Sequence, residues 1–156
     1  MGTVKNKTYA KNRKAYYDYE MLQSFEAGMK LTGPQVKSIR AGTINLLGSY
    51  VSIEDNKVLF KQCHISKPNN LGYNGISFDE NAIIPLLLHK SEIQKILKEV
   101  QEKSKTLIVT EVYQREGTGT IKCKLNVARG KRDYDKRETL KRKAQEMDAK
   151  REMKNY

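Results

Sequence analysis

The run Ala128 to Ala144, ARGKRDYDKRETLKRKA, crowds basic side chains around a single tyrosine and offers almost nothing apolar to bury. Side chains of these types suit contact with a polyanion, with ammonium and guanidinium groups on phosphates and the ring of Tyr134 free to stack on a base. Covalent chemistry has fewer candidates. Cys63 and His64 are the nearest thing to a nucleophile pair, but adjacent residues on a strand point to opposite faces, which sends the thiol into the core and the imidazole outward. The two cysteines, Cys63 and Cys123, fall in strand-like runs with no Cys-x-x-Cys or His-x-x-x-His pattern, so neither a disulfide framework nor a zinc site is expected. His89 reads as a polar residue at the approach to a helix. Phosphate-binding Gly-x-x-x-x-Gly-Lys-Ser/Thr and nucleophile-elbow Gly-x-Ser-x-Gly patterns are absent from the sequence. The chain therefore reads as a non-enzyme without metal or cofactor. An RNA-processing hydrolase using Cys63 or His64 is the catalytic alternative, and it would lose activity on substitution of His64.

Composition points the same way. The 156 residues include 30 Lys and Arg against 18 Asp and Glu, a formal charge of +12. A surplus of that size repels itself unless a polyanion neutralises it, which makes nucleic acid the expected partner. The longest apolar run, Ile83 to Leu88, is broken by Pro85 and too short for a bilayer. The first fourteen residues are basic without an apolar stretch, so neither export nor membrane contact is expected and a reduced cytoplasmic setting fits. The length suits one domain with tails.

The elements that must position these groups are mostly strands. Residues 1–14 carry Lys5, Lys7, Lys11, Arg13 and Lys14 and no acid, and read as a flexible basic arm. From Tyr16 the texture suggests short strands, with Tyr17, Tyr19, Phe25, Met29 and Leu31 on a half-buried surface. Gly33 to Gly42 reads as a short helix, Pro34 in its first turn and Gly42 at its stop, with Val36 and Ile39 facing inward and Lys37 and Arg40 outward. Tyr50 to Lys61 reads as a hairpin around Glu54-Asp-Asn-Lys57, and residues 66–81 as a mobile loop. Ser91 to Lys103 places Ile93, Ile96, Leu97 and Val100 at helical spacing, Ser91 and Gln94 having the spacing of a capping box. A last hairpin joins Thr106–Tyr113 to Thr120–Ala128, where Ile121, Cys123, Leu125 and Val127 should face the core and Lys122, Lys124 and Asn126 the solvent. About six short strands with helices inserted, and no sustained strand-helix-strand rhythm, predict a β-rich domain over 15–130, an OB-like small antiparallel β-barrel.

Residues 131–156 form the tail, with ten Lys and Arg against six acids. Leu140, Ala144 and Met147 make a stripe too thin to hold a helix against a core, so the segment is expected to be disordered when free and helical when bound. Asp135 and Glu138 are spaced as an N-cap and its partner three residues on, and place the helix start at Asp135.

Several stretches taken together resemble the SsrA-binding protein family, SmpB: NRKAYYDY (12–19), FEAGMKLTGPQVKSIRAG (25–42), SYVSIE (49–54), HIS (64–66), LLLHKSEI (86–93) and the run that opened this section. They occur in family order over nearly the whole chain. The resemblance implies an OB-like barrel that binds tmRNA (SsrA) through its tRNA-like domain and brings it to stalled ribosomes in trans-translation. It places the RNA contacts on Asn12, Glu26 and Leu87, to which proximity and charge add Lys14, Lys37 and Arg40. It places the ribosome-engaging residues at Gly130, Tyr134, Asp135, Lys136, Arg137 and Met153, on a tail that lies in the empty mRNA channel of the small subunit and reaches the decoding centre. Elongation factor EF-Tu and alanyl-tRNA synthetase are implied as indirect partners, through tmRNA. Gln35 stands where many relatives have Glu, and His is frequent where Tyr134 stands. A generic OB-fold binder of single-stranded RNA, or a ribosomal accessory factor, is the second reading; it would prefer unpaired RNA and need no separate step for the tail.

Overall fold

Alternation of Ile121, Cys123, Leu125 and Val127 builds the middle of the molecule, and all four side chains are buried. The structure is a computed structural model and describes residues 6–67, 78–101, 104–131 and 133–154. Along the chain run β1 (Lys7–Lys11), α1 (Arg13–Asp18), β2 (Tyr19–Met29), α2 (Gly33–Arg40), β3 (Ile44–Asn45), β4 (Tyr50–Glu54) and β5 (Lys57–Lys61). They are followed by β6 (His64–Ile65), β7 (Ile84–Leu87), α3 (Lys90–Val100), β8 (Lys105–Gln114), β9 (Ile121–Gly130) and α4 (Asp133–Lys154).

Seven strands form one antiparallel sheet in the order β1-β8-β9-β2-β7-β5-β4, with β3 and β6 paired separately. This is the expected β-rich, OB-like arrangement with inserted helices. Its hydrogen-bonded ladder is open, however: the sheet ends in β1 and β4, and β4 curls over to pack on β8 without joining it as a ladder partner. Phe60, Ile39, Ile65, Ile84, Ile96 and Leu125 fill the interior of the curl. Such interiors are close-packed, so the curvature holds without ladder closure.

Local chemistry explains the connections. Asp55 and Asn56 both have positive φ in the two-residue turn between β4 and β5, a conformation that Asn and Asp tolerate best after Gly. Thr32 caps α2 in a reciprocal box, its hydroxyl accepting from the Gln35 N–H while Gln35 Oε1 accepts from the Thr32 N–H at 2.9 Å. Gln performs this task as Glu does, so the exchange at position 35 leaves the helix start intact. Val36 and Ile39 face the core and Lys37 and Arg40 lie exposed, as their spacing predicts.

Other expectations are corrected. Within the expected basic arm, Lys7–Lys11 is a strand and not a flexible segment: it pairs with β8, Tyr9 and Ala10 packing on the core while Lys7 and Lys11 stay in solvent. Tyr16 and Tyr17 lie on the short helix α1, not on a strand, because Asn12 caps it, its Oδ1 accepting from the Ala15 N–H at 3.1 Å. Helix α3 starts at Lys90 with Glu92, not Gln94, reaching back: Glu92 Oε1 accepts from the His89 N–H, which puts His89 at the N-cap. Asn126 is fully buried, not wet. A bulge at Thr110 turns that hydroxyl toward it, and Asn126 Nδ2 donates to Thr110 Oγ1 at 2.7 Å while its Oδ1 accepts from Ser24. Helix α4 begins at Asp133, two residues before the expected cap. Its thin stripe stays out of the core as expected, Leu140 being 52% and Met147 60% exposed. Of the expected mobile loop, residues 68–77 lie outside the described residues, as do residues 1–5 of the arm. No described helix is long and apolar enough to cross a membrane.

Candidate nucleic-acid interface

The outer face of the sheet carries charges in rows. Across β1, β8, β9 and β2 the register aligns Lys11, Glu111, Lys124 and Glu26, alternating in sign. The next row aligns Tyr113, Lys122 and Gly28, and continues to Leu87 on β7. Opposite charges thus stand in neighbouring cross-strand positions, and Lys11 Nζ lies 3.9 Å from Glu111 Oε1.

Glu26 is the acid at the centre of this surface. Tyr113 donates its hydroxyl to Glu26 Oε2 at 2.5 Å, and Arg115 Nη1 stands 3.6 Å from Oε1. Burial first, then the neighbouring carboxylate, push the Tyr113 phenol well above its usual range, so it stays a donor. Glu26 therefore orders a phenol and a guanidinium on either side of itself. Beside it, Gly28, Leu87, His89, Thr120 and Lys122 enclose a groove of about 520 Å³. Leu87 is 58% exposed, so it shapes the groove and does not fill the core. Gly28 permits its approach: a Cβ there would meet Leu87 Cβ at 3.3 Å. Arg40 Nη2 donates to the carbonyl of Gly119 at 2.9 Å, which ties α2 and its exposed Lys37 to the loop beside Thr120.

Asn12 and Lys14 lie elsewhere. They line a second groove of about 240 Å³ between α1 and the loop before β4, with Asp18, Tyr19, Leu47 and Tyr50. Leu47 and Tyr50 are exposed there at 61% and 44%. Asn12 is structurally committed as the α1 cap, and its backbone N–H donates to Thr110 at 2.7 Å. Thus Glu26 and Leu87 line one groove, Arg40 reaches the loop beside it from the helix that also carries Lys37, and Asn12 and Lys14 line another. Tyr113, Arg115, Lys122 and Tyr50 were not among the expected contacts. Tyr50 and Tyr113 carried a weak signal as aromatics in strand runs and Lys122 one as a solvent-facing strand residue, while Arg115 becomes visible only once its contact with Glu26 is known.

The tail residues fall at three backbone positions. Gly130 ends β9 opposite Tyr19; Tyr134, Asp135, Lys136 and Arg137 occupy the first turns of α4; Met153 is in its last turn.

Cys63 has no exposure and lies beside the half-buried His64, whose Nε2 is 3.7 Å from Glu80 Oε2. Burial pushes both thiols, Cys63 and Cys123, up to about 12. At pH 8 such a group is thiolate in only about one molecule in 10⁴. Both cysteines are expected to stay unreactive toward an aromatic disulfide reagent until denaturant opens the fold, and then to react together. Prompt reaction of either in the native protein would contradict this burial.

The family model for the SmpB protein matches residues 9–155. The chain belongs to the SmpB family. It is 43% identical over 150 residues to the SsrA-binding protein of Clostridium novyi, covering 96% of this chain and 93% of that one. The SsrA-binding protein of Ligilactobacillus salivarius is 40% identical over 154 residues, covering 97% and 96%. Among solved structures, a chain from "tmRNA-SmpB: a journey to the center of the bacterial ribosome" superposes with a TM-score of 0.61 at 33% identity, over 89% of this chain and 95% of that one. Membership in the SmpB family accounts for the order of the motifs and for the mostly antiparallel sheet with its few helices.

Proposed function

We propose that this protein binds tmRNA (SsrA) through its tRNA-like domain and delivers it to stalled ribosomes in trans-translation. The observation that carries this reading is the division of the chain into a folded sheet that carries basic groups on its surface and a basic helix whose described side chains join no core. The sheet and the two grooves hold a folded RNA by shape and phosphate contacts, through Asn12, Lys14, Glu26, Lys37, Arg40 and Leu87. Glu26 serves by fixing its neighbours and by accepting from base amino groups. The tail then occupies the empty mRNA channel of the small subunit, where Gly130 lets the chain turn. There Tyr134 stacks at the decoding centre, and Asp135, Lys136, Arg137 and Met153 engage the ribosome. Off the ribosome the tail is loosely held, since a charged helix with a thin apolar stripe gains little from folding alone. The protein itself performs no catalysis and works in the cytoplasm, and its links to elongation factor EF-Tu and alanyl-tRNA synthetase run through tmRNA.

Binding of the labelled tRNA-like domain, with single-stranded RNA as competitor, tests this reading. Structured RNA should win the competition. About six phosphate contacts should lower affinity about 10³-fold between 50 and 200 mM salt. A flat salt series would remove the phosphate part of the reading, and equal competition by single strands would favour a generic single-strand binder.

A further inference from the structure

The last carbonyls of α1 have no partners within that helix, and the root of the tail supplies two. The Lys131 backbone N–H donates to Asp18 O at 2.9 Å, and its ammonium donates to Tyr16 O at 3.0 Å. A charged donor on a helix-terminal carbonyl makes a strong hydrogen bond and matches the negative end of the helix. Lys131 stands two residues before Asp133, where α4 begins, and α1 and α4 are in contact. Helix α1 is itself fastened to the sheet. Ala15 is buried with Ile108 and Ala128, and Tyr16 donates its hydroxyl to Glu111 Oε1 at 3.3 Å. A further side of α1, from Asn12 and Lys14 to Asp18, lines the smaller groove.

We infer that Lys131 is the positioning residue that aims the tail: it fastens the root of α4 to the short helix that borders the Asn12–Lys14 groove. An RNA seated in that groove and the tail helix are then held by one post, so orientation on the RNA fixes the direction in which the tail leaves. Without the ammonium, the root loses its charged tie to Tyr16 O and gains freedom to swivel about Gly130. The inference rests on the proposed RNA reading only for its functional half, since the clamp is a property of the free protein.

The test uses the full chain, with dyes on Lys57→Cys and Lys150→Cys and the distance distribution between them read with and without the tRNA-like domain. Lys131→Met keeps the aliphatic stem and loses the donor, while Lys131→Arg keeps a charged donor. Lys131→Met should give a distribution about twice as wide as the parent chain's, and Lys131→Arg one like the parent's. RNA affinity of Lys131→Met should stay within about twofold, while rescue of stalled ribosomes in a purified system falls about tenfold through misplacement of the tail. An unchanged width in Lys131→Met would overturn the inference. So would broadening accompanied by a large loss of RNA affinity, which would mean that α1 itself had been disrupted. If the parent chain fails to bind the RNA, the functional reading falls, and the distances still decide whether the clamp exists.

Discussion

A chain ending at Gly130 is expected to bind the tRNA-like domain of tmRNA within about twofold of the full chain and to lose ribosome rescue almost completely. The reason lies in where burial stops. The described core ends at Val127 and Ala128, and no described side chain of α4 belongs to either apolar cluster. Removing residues 131–156 returns two α1 carbonyls to water, a change of about 1 kcal/mol against a whole-domain stability of about 5–15 kcal/mol. The sheet therefore keeps its shape, its cross-strand charge rows and both grooves. On the proposed reading the tail engages the ribosome, so loss of its ten cations should remove only non-specific attraction from RNA binding. Filter or fluorescence binding and a tagging assay on ribosomes stalled at a message end give the two readings. Loss of RNA binding with the tail would show that the sheet does not carry recognition by itself.

The second large effect is on stability. Phe60 has no exposure and sits on β5 with its register partners Val51 and Ile84, where β4, β5 and β7 curl toward β8. Phe60→Ala is expected to cost about 3–5 kcal/mol, from lost transfer energy plus a cavity that a curved, close-packed sheet cannot collapse. That is a large fraction of what such a domain has, and the melting temperature should fall by about 10 °C or more. Leu140→Ala removes a side chain of similar kind from α4, where it is 52% exposed, and should change stability by less than about 0.5 kcal/mol. Denaturant unfolding of both variants separates the cases. A large loss from Leu140→Ala would mean that the tail helix is docked on the sheet.

The central hairpins, α2 and α3 were legible because each is specified within its own window. Ile93, Ile96, Leu97 and Val100 repeat at helical spacing, and Asp55-Asn56 is a turn by its own backbone preferences. The misreadings share a physical cause, which is cover supplied from afar. Strand β1 looks like a solvated arm because an edge strand that buries only Tyr9 and Ala10 can otherwise be written in lysine. Asn126 looks like a solvent-facing strand residue, and only the bulge at Thr110 and the approach of Ser24 take it out of water. The site shows the same division. Motifs in family order named Glu26 and Leu87, but the residues that hold Glu26 come from another strand: Tyr113 is 87 positions away. The two-groove arrangement could not be read at all without the register.

The open ladder has one more consequence. A sheet that ends in β1 presents a row of backbone donors and acceptors on which a second copy of the same strand could assemble. Lys7 and Lys11 stand exposed on that edge, and an antiparallel copy would bring ammonium against ammonium along a strand of only five residues. The same lysines that make the N-terminus look like an unstructured RNA-seeking arm thus guard the protein against stacking into fibres, at the high concentrations at which an exposed β-edge becomes a hazard.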